Sequence, residues 1–154
     1  MTLSGTASSS ALTDGSGHYT LGNLLFGGSY TVTPSKSPLA AGSTGINTVD
    51  VIAVQRHFLN ITSLPVGCRM TAADVNTDSN INTVDVIAIQ RFFLGLSTGT
   101  ANVGKYSFNP ANRSYPVLSG NQVNQNYDAL VRGDVALSFV HRADNSDPAE
   151  HRAP

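Results

Sequence analysis

Apolar residues in the middle of the chain recur at helical intervals. From Val84 to Leu94 the sequence reads VDVIAIQRFFL, with Val84, Ile87, Arg91 and Leu94 at i, i+3, i+7 and i+10. That spacing is one face of a helix, and Ile89, Phe92 and Phe93 widen the stripe. Gly95 follows the last periodic residue and predicts a stop, since glycine takes the left-handed conformation that ends a helix. The same phrase occurs earlier: INTVDVIAVQRHFL at Ile46–Leu59 answers INTVDVIAIQRFFL at Ile81–Leu94, with Asn60 in the stop position. Two like helices are therefore expected, each burying its apolar face against the other.

The flanking sequence changes period. His18–Leu21 and Tyr30–Thr33 alternate, and Gly- and Asp-rich stretches at Asp14–Gly17 and Gly27–Gly28 bound them, as in strand–turn–strand segments. Alternation resumes over Lys105–Leu130, and again at Asp134–Val140, where Val135, Leu137 and Phe139 share one side. An α+β chain is expected, with β structure on both sides of a helical middle.

Composition narrows the function classes. Hydrophobic residues make up 40%, enough for a core, while charged residues are only 12%, so Ser, Thr, Asn and Gly dress the surface. A net charge of −1 without a basic run argues against a nucleic-acid partner. No apolar run approaches the ~20 residues that span a bilayer. The first ten residues lack a charged stretch followed by an apolar one and are not expected to be a signal peptide, so either export information is missing from this chain or the chain is a fragment. The single cysteine, Cys68, cannot pair internally and is expected to be a buried thiol.

The candidate chemistry lies just before the second helix. Asp74, Asn76, Asp78, Asn80, Asn82 and Asp85 occupy positions 1, 3, 5, 7, 9 and 12 of a twelve-residue loop, the ligand positions of a calcium loop. Calcium takes six to eight oxygens, and alternate residues of a tight loop can aim theirs inward. Asp74, Asn76 and Asp78 would supply side-chain oxygens and Asn80 its carbonyl. Asn82 would act directly or through water, and Asp85 would close the site. Position 6 is Ser79 where Gly is usual, and position 12 is Asp rather than Glu. In the first copy, Asn47 and Asp50 keep positions 9 and 12, but positions 1, 3 and 5 are Leu39, Ala41 and Ser43. That loop is expected either to bind no metal or to form a weaker site through Ser43, Asn47 and Asp50.

A pair of calcium loops, each followed by one helix, with Asp at position 12 and a basic residue in the helix (Arg56, Arg91), resembles the dockerin family over about Gly42 to Leu96. The resemblance implies that Thr48, Val49, Thr83 and Val84, with Arg56 and Arg91, face a cohesin-like partner. The flanks resemble a carboxypeptidase-regulatory-like or Cna-B-like β-sandwich. Asp14, Gly17 and Tyr19 match its D-x-x-G-x-Y turn, and YTVTPSK and FNPANRS match strands that usually lie close together. The resemblance thus implies an antiparallel β-sandwich of immunoglobulin/prealbumin-like type at 1–36 plus 105–140. A dockerin-like α-helical module is expected to be inserted at 37–104, and 141–154, polar and Pro-containing, are expected to form a loose tail. Asp14 is expected to act in the turn rather than on a metal.

This sandwich family normally has a strand before the segment that here follows Met1 directly. Asp134–Val140, through Val135, Leu137 and Phe139, is expected to fill that gap in its own chain or in a neighbour's, unless the chain simply begins inside the domain. Strand donation to a neighbour would build a head-to-tail fibre or stalk. The leading expectation is a non-enzymatic, calcium-stabilised structural subunit outside the cell or on its surface. The alternative is a docking module for a cohesin-like partner. One calcium ion is expected, and a second if the first loop also binds. No nucleophile–base pairing, phosphate loop or histidine metal spacing is found, with His18, His57, His141 and His151 scattered. The tripeptide Arg132-Gly133-Asp134 is short enough to occur by chance, and Asn60 and Asn112 fit glycosylation acceptors.

Overall fold

A computed structural model describes residues 1–136. The chain is a small α+β protein with antiparallel sheets. It divides into two compact units, Met1–Lys36 with Phe108–Asp128, and Ser37–Ser107 with the described residues from Ala129 on. Leu137, Phe139, His141, His151 and the tail at 141–154 lie outside the described residues.

In the first unit, β1 (Thr2–Gly5), β2 (Ser9–Ser10), β3 (Tyr30–Thr33) and β5 (Arg113–Tyr115) form a four-stranded sheet in the order β2-β1-β3-β5. Leu3 lies opposite Val32, and Tyr30 opposite Tyr115. The strand after the long excursion therefore pairs beside the strand before it. Leu3, Tyr30, Val32 and Leu118 are buried, with Tyr19, Leu21, Leu24, Tyr115 and Tyr127 packed against them. Gly5 has φ +117°, and a Cβ there would overlap the Ser29 carbonyl oxygen, so only glycine fits. Asp14 is a turn residue as expected. Its Oδ1 accepts the N–H groups of Ser16 (2.8 Å) and His18 (2.9 Å), and these bonds, the His18 one foremost, hold its carboxyl below the usual range.

The expected strand at His18–Leu21 does not form. The segment is held by side chains instead: Tyr19 and Leu21 join the core, and the Tyr19 hydroxyl donates to the Gln125 carbonyl at 2.8 Å. Tyr127 donates in the same way to the Val32 carbonyl at 3.0 Å. Burial, then the neighbouring Tyr19 and Tyr115, push the Tyr127 phenol up to about 12, while the Arg113 guanidinium, 5.3 Å from the ring centre, pulls weakly the other way.

The second unit contains α1 (Thr48–Phe58), α2 (Cys68–Ala73) and α3 (Thr83–Phe93). The two expected helices start and stop alike. Asn47 and Asn82 are N-caps with the same backbone angles, φ −147° and ψ −169°, and each makes a capping box with the Asp three residues on. At the far ends Asn60 and Gly95 are left-handed (φ +56° and +78°). The N–H groups of Ile61 and Leu96 reach back to the carbonyls of Arg56 and Arg91, the Schellman arrangement. α2 has no apolar stripe and was not expected. Ala72 and Ala73 bury it, while Cys68, which opens it, is exposed rather than buried as expected.

The buried face of α3 is shifted by one position from the periodic stripe. Asp85, Ala88, Ile89 and Phe92 point inward, while Val84, Ile87 and Leu94 are exposed. The physical cause is Asp85, which must face the interior to accept backbone N–H groups. Fixing it there carries i+3, i+4 and i+7 inward with it. α1 repeats the choice, burying Asp50 and Val54.

β4 (Tyr106–Asn109) and β6 (Asp128–Val131) pair in a two-stranded sheet. Past β6, residues 134–136 make no strand. Residues 105–107 and 129–136, expected with the first unit's strands, group instead with the helical unit: Val131 and Val135 are fully buried in its core, with Tyr106 and Leu130 packed on it. No described helix is long and apolar enough to cross a membrane.

Candidate metal centre and paired helix face

The loop from Asp74 to Asp85 is wound around its own carboxylates. Asp74 accepts the N–H of Asp78 on Oδ1 (3.2 Å) and of Ser79 on Oδ2 (3.0 Å). The Asn76 Oδ1 accepts that same Asp78 N–H at 3.0 Å. Asp78 accepts the Asn80 N–H on Oδ1 (2.8 Å) and the Asn76 side-chain amide on Oδ2 (2.8 Å). Thr77 and Ser79 take positive φ (+64° and +67°), so the chain turns as tightly at Ser79 as glycine would allow, at some local strain. Oxygens of Asp74 and Asn76 thereby converge on one N–H, with the Asp78 carboxylate in the same network.

Asp85 does a different job. It is fully buried, and its Oδ1 accepts the N–H of Val75 (2.9 Å) and of Asn76 (3.4 Å). Its Oδ2 accepts the Asn82 N–H at 3.0 Å. A carboxylate offers about four lone-pair sites, so most are taken by backbone. Asn82 spends its side-chain oxygen on the Val84 N–H at 2.7 Å. Of the six expected ligands, Asp74, Asn76 and Asp78 share the mouth of the loop, and Asn80 touches it through Asp78. Asn82 and Asp85 anchor the helix start. Among the described residues no three Asp, Glu, His or Cys side chains gather as a metal-holding group. The donors present are nonetheless all oxygens, which suits a hard cation completed by carbonyls and water.

The first loop is built otherwise. The Ser43 hydroxyl donates to the Ala40 carbonyl, and the Asn47 side chain accepts the Val49 N–H at 2.8 Å. Asp50, fully buried, accepts the Asn47 N–H at 2.9 Å. Its Oδ1 accepts two further N–H groups, from Val135 and Ala136, both at 2.8 Å. The expected second-site residues thus each bond elsewhere. The expected donor valine, Val135, is engaged inside its own helical unit.

Arg132 was missed by sequence reasoning. Its guanidinium donates to the Asp74 carbonyl (2.7 Å), the Thr71 carbonyl (3.2 Å) and the Ser107 hydroxyl (3.1 Å). A faint signal existed: Gly133-Asp134-Val135 echoes Ala73-Asp74-Val75. Gly133 and Asp134 are buried and Arg132 is half-buried, so the Arg-Gly-Asp tripeptide is not displayed as an exposed loop.

The residues expected to face a partner lie mostly on the surface. Thr48, Val49, Arg56, Thr83 and Val84 are exposed. Arg91 is half-buried and donates to the Thr98 carbonyl (2.7 Å) and hydroxyl (3.2 Å). The exposed apolar residues come in matched pairs: Val49 and Val84 are 56% and 54% exposed, Ile52 and Ile87 50% and 52%. Comparison of the chain with protein-family models, curated proteins and solved structures finds no match.

Proposed function

We propose that the helical unit is a calcium-stabilised, dockerin-like docking module for a cohesin-like partner outside the cell or on its surface. In this reading the first unit is a β-sandwich that carries the module, and neither is catalytic. The observation that carries the proposal is the pair of half-open apolar patches, Val49 with Ile52 and Val84 with Ile87, on two helices that pack against each other. An exposed apolar residue alone means little. Matched ones at equivalent positions of both repeats make a repeated candidate surface, one patch on each helix. The fibre reading is weaker, because the Val135 N–H is bonded to Asp50 and its side chain is in the helical core.

The docking test uses an immobilised panel of cohesin domains in millimolar calcium. The parent is expected to be retained, and Val49→Asp with Val84→Asp is expected to abolish retention while melting within about 0.5 kcal/mol of the parent. A parent that is not retained, but grows into polymers in light scattering, would return the argument to strand donation.

Calcium would act by tying Asp74, Asn76 and Asp78 together, so that binding energy becomes folding energy. Extracellular modules often bind with Kd on the order of 10⁻⁴–10⁻³ M. At a calcium concentration about ten times Kd, the gain is about 1.4 kcal/mol, or a few degrees in Tm. The parent is expected to melt higher in calcium than in chelator, and Asp74→Ala with Asp78→Ala to melt alike in both. Equal melting of the parent in the two buffers would remove calcium from the reading.

A further inference from the structure

We infer that Gly133–Ala136 is the detached first half of the α1 loop, a strap whose seating decides whether α1 is held. The evidence is a point-by-point match between the two repeats. Asp85 Oδ1 accepts the N–H groups of Val75 and Asn76, and Asp50 Oδ1 accepts those of Val135 and Ala136. Val75 and Val135 are both fully buried in one core. Asp74 and Asp134 each direct their own N–H back to a carbonyl of the preceding element, that of Met70 in α2 (3.1 Å) and that of Val131 at the end of β6 (3.2 Å). Residues 39–43, which precede α1 in sequence, do not take this part. Their place is filled by Val135 and Ala136, 85 and 86 residues beyond Asp50.

The difference in sequence distance creates a difference in dependence. The donors to Asp85 lie ten residues away, on a loop continuous with α3. Those donors assemble with the helix they serve. The donors to Asp50 arrive only when the chain has passed through β6 and returned. With the strap unseated, a fully buried carboxylate loses two N–H partners and the interior loses Val135. The loss of the N–H partners falls on α1, which carries Asp50. The strap is fastened at its base by the Gly133 N–H to the Ala72 carbonyl (2.8 Å) and by Arg132 on the Asp74 carbonyl. Gly133 has φ +92°, and a Cβ there would lie 2.7 Å from Val103 Cγ1, so the seat is shaped for glycine. This inference does not depend on what the helix face docks.

Native-state hydrogen exchange on the full chain tests it, because local opening is read helix by helix. Val135→Ala is expected to speed exchange of the α1 amides by about tenfold or more while α3 amides stay within about twofold. Val75→Ala should do the reverse. Gly133→Ala, which unseats the strap without touching Asp50, should reproduce the Val135→Ala pattern. Unchanged α1 exchange in Val135→Ala, or equal acceleration of both helices in the two valine variants, would overturn the proposal. If Gly133→Ala does not fold, the pair of valine variants still decides.

Discussion

Asp85→Ala should cost the helical unit about 4 kcal/mol, read as a fall in the urea midpoint at unchanged m-value. The carboxylate is fully buried and satisfies three N–H groups, those of Val75, Asn76 and Asn82. Alanine leaves all three donors without the acceptor, and a buried donor left unpaired costs about 1–3 kcal/mol. It also removes half of the capping box at the start of α3. The loss should persist in chelator, because these bonds are made to backbone and need no metal. That persistence separates Asp85 from Asp74 and Asp78, whose backbone bonds are exposed and whose larger, calcium-dependent effect should vanish when calcium is removed. If Asp85→Ala matters only in calcium, its main role is that of a ligand.

The second large effect is expected at Phe92, with its counterpart His57 as the contrast. Phe92 is buried, and its ring lies so close to Gly104 that a Cβ there would come within 2.7 Å of it. Phe92→Ala should cost about 3–5 kcal/mol through lost transfer energy and the cavity left behind. His57 holds the same place in the first repeat but is only half-buried, and its Nδ1 accepts the Leu64 N–H at 3.1 Å. His57→Ala should cost about 1 kcal/mol, the worth of one such bond. Chemical denaturation of both variants checks the ratio. Equal costs would mean that the two repeats share one packing role at this position, and that the hydrogen bond to Leu64 is incidental.

Much of the helical unit was legible because its signals are local. Asn47 and Asn82 before the helices, and Asn60 and Gly95 after them, give start and stop within a turn of the residues they govern. The turn at Asp14 is equally local. The buried face was misread because periodicity counts apolar residues and treats an aspartate as outward. Asp85 and Asp50 turn inward to meet backbone N–H groups, a demand that hydrophobicity does not encode. His18–Leu21 alternates like a strand but has no ladder partner, and alternation alone cannot supply one. α2 is short and without an apolar stripe, so Cys68 could not be placed. The strap was hidden by distance: Asp134 and Val135 repeat too few residues of the Asp74 loop to be noticed, and only the hydrogen bonds to Asp50 give them meaning. Within the candidate metal loop, spacing placed Asp74, Asn76 and Asp78 together but could not say that Asp85 would be spent on the fold.

The division of the chain has a practical side. The backbone passes between the two units at 36/37, at 107/108 and again at 128/129, so each unit is assembled from separated stretches. No single cut can therefore release either unit whole. A fragment ending before Ala129 keeps every strand of the first sheet and both long helices, yet leaves the second unit without Val131 and Val135. Dissecting this protein calls for point substitutions or rearranged chain order, because truncation at any one boundary yields an incomplete partner.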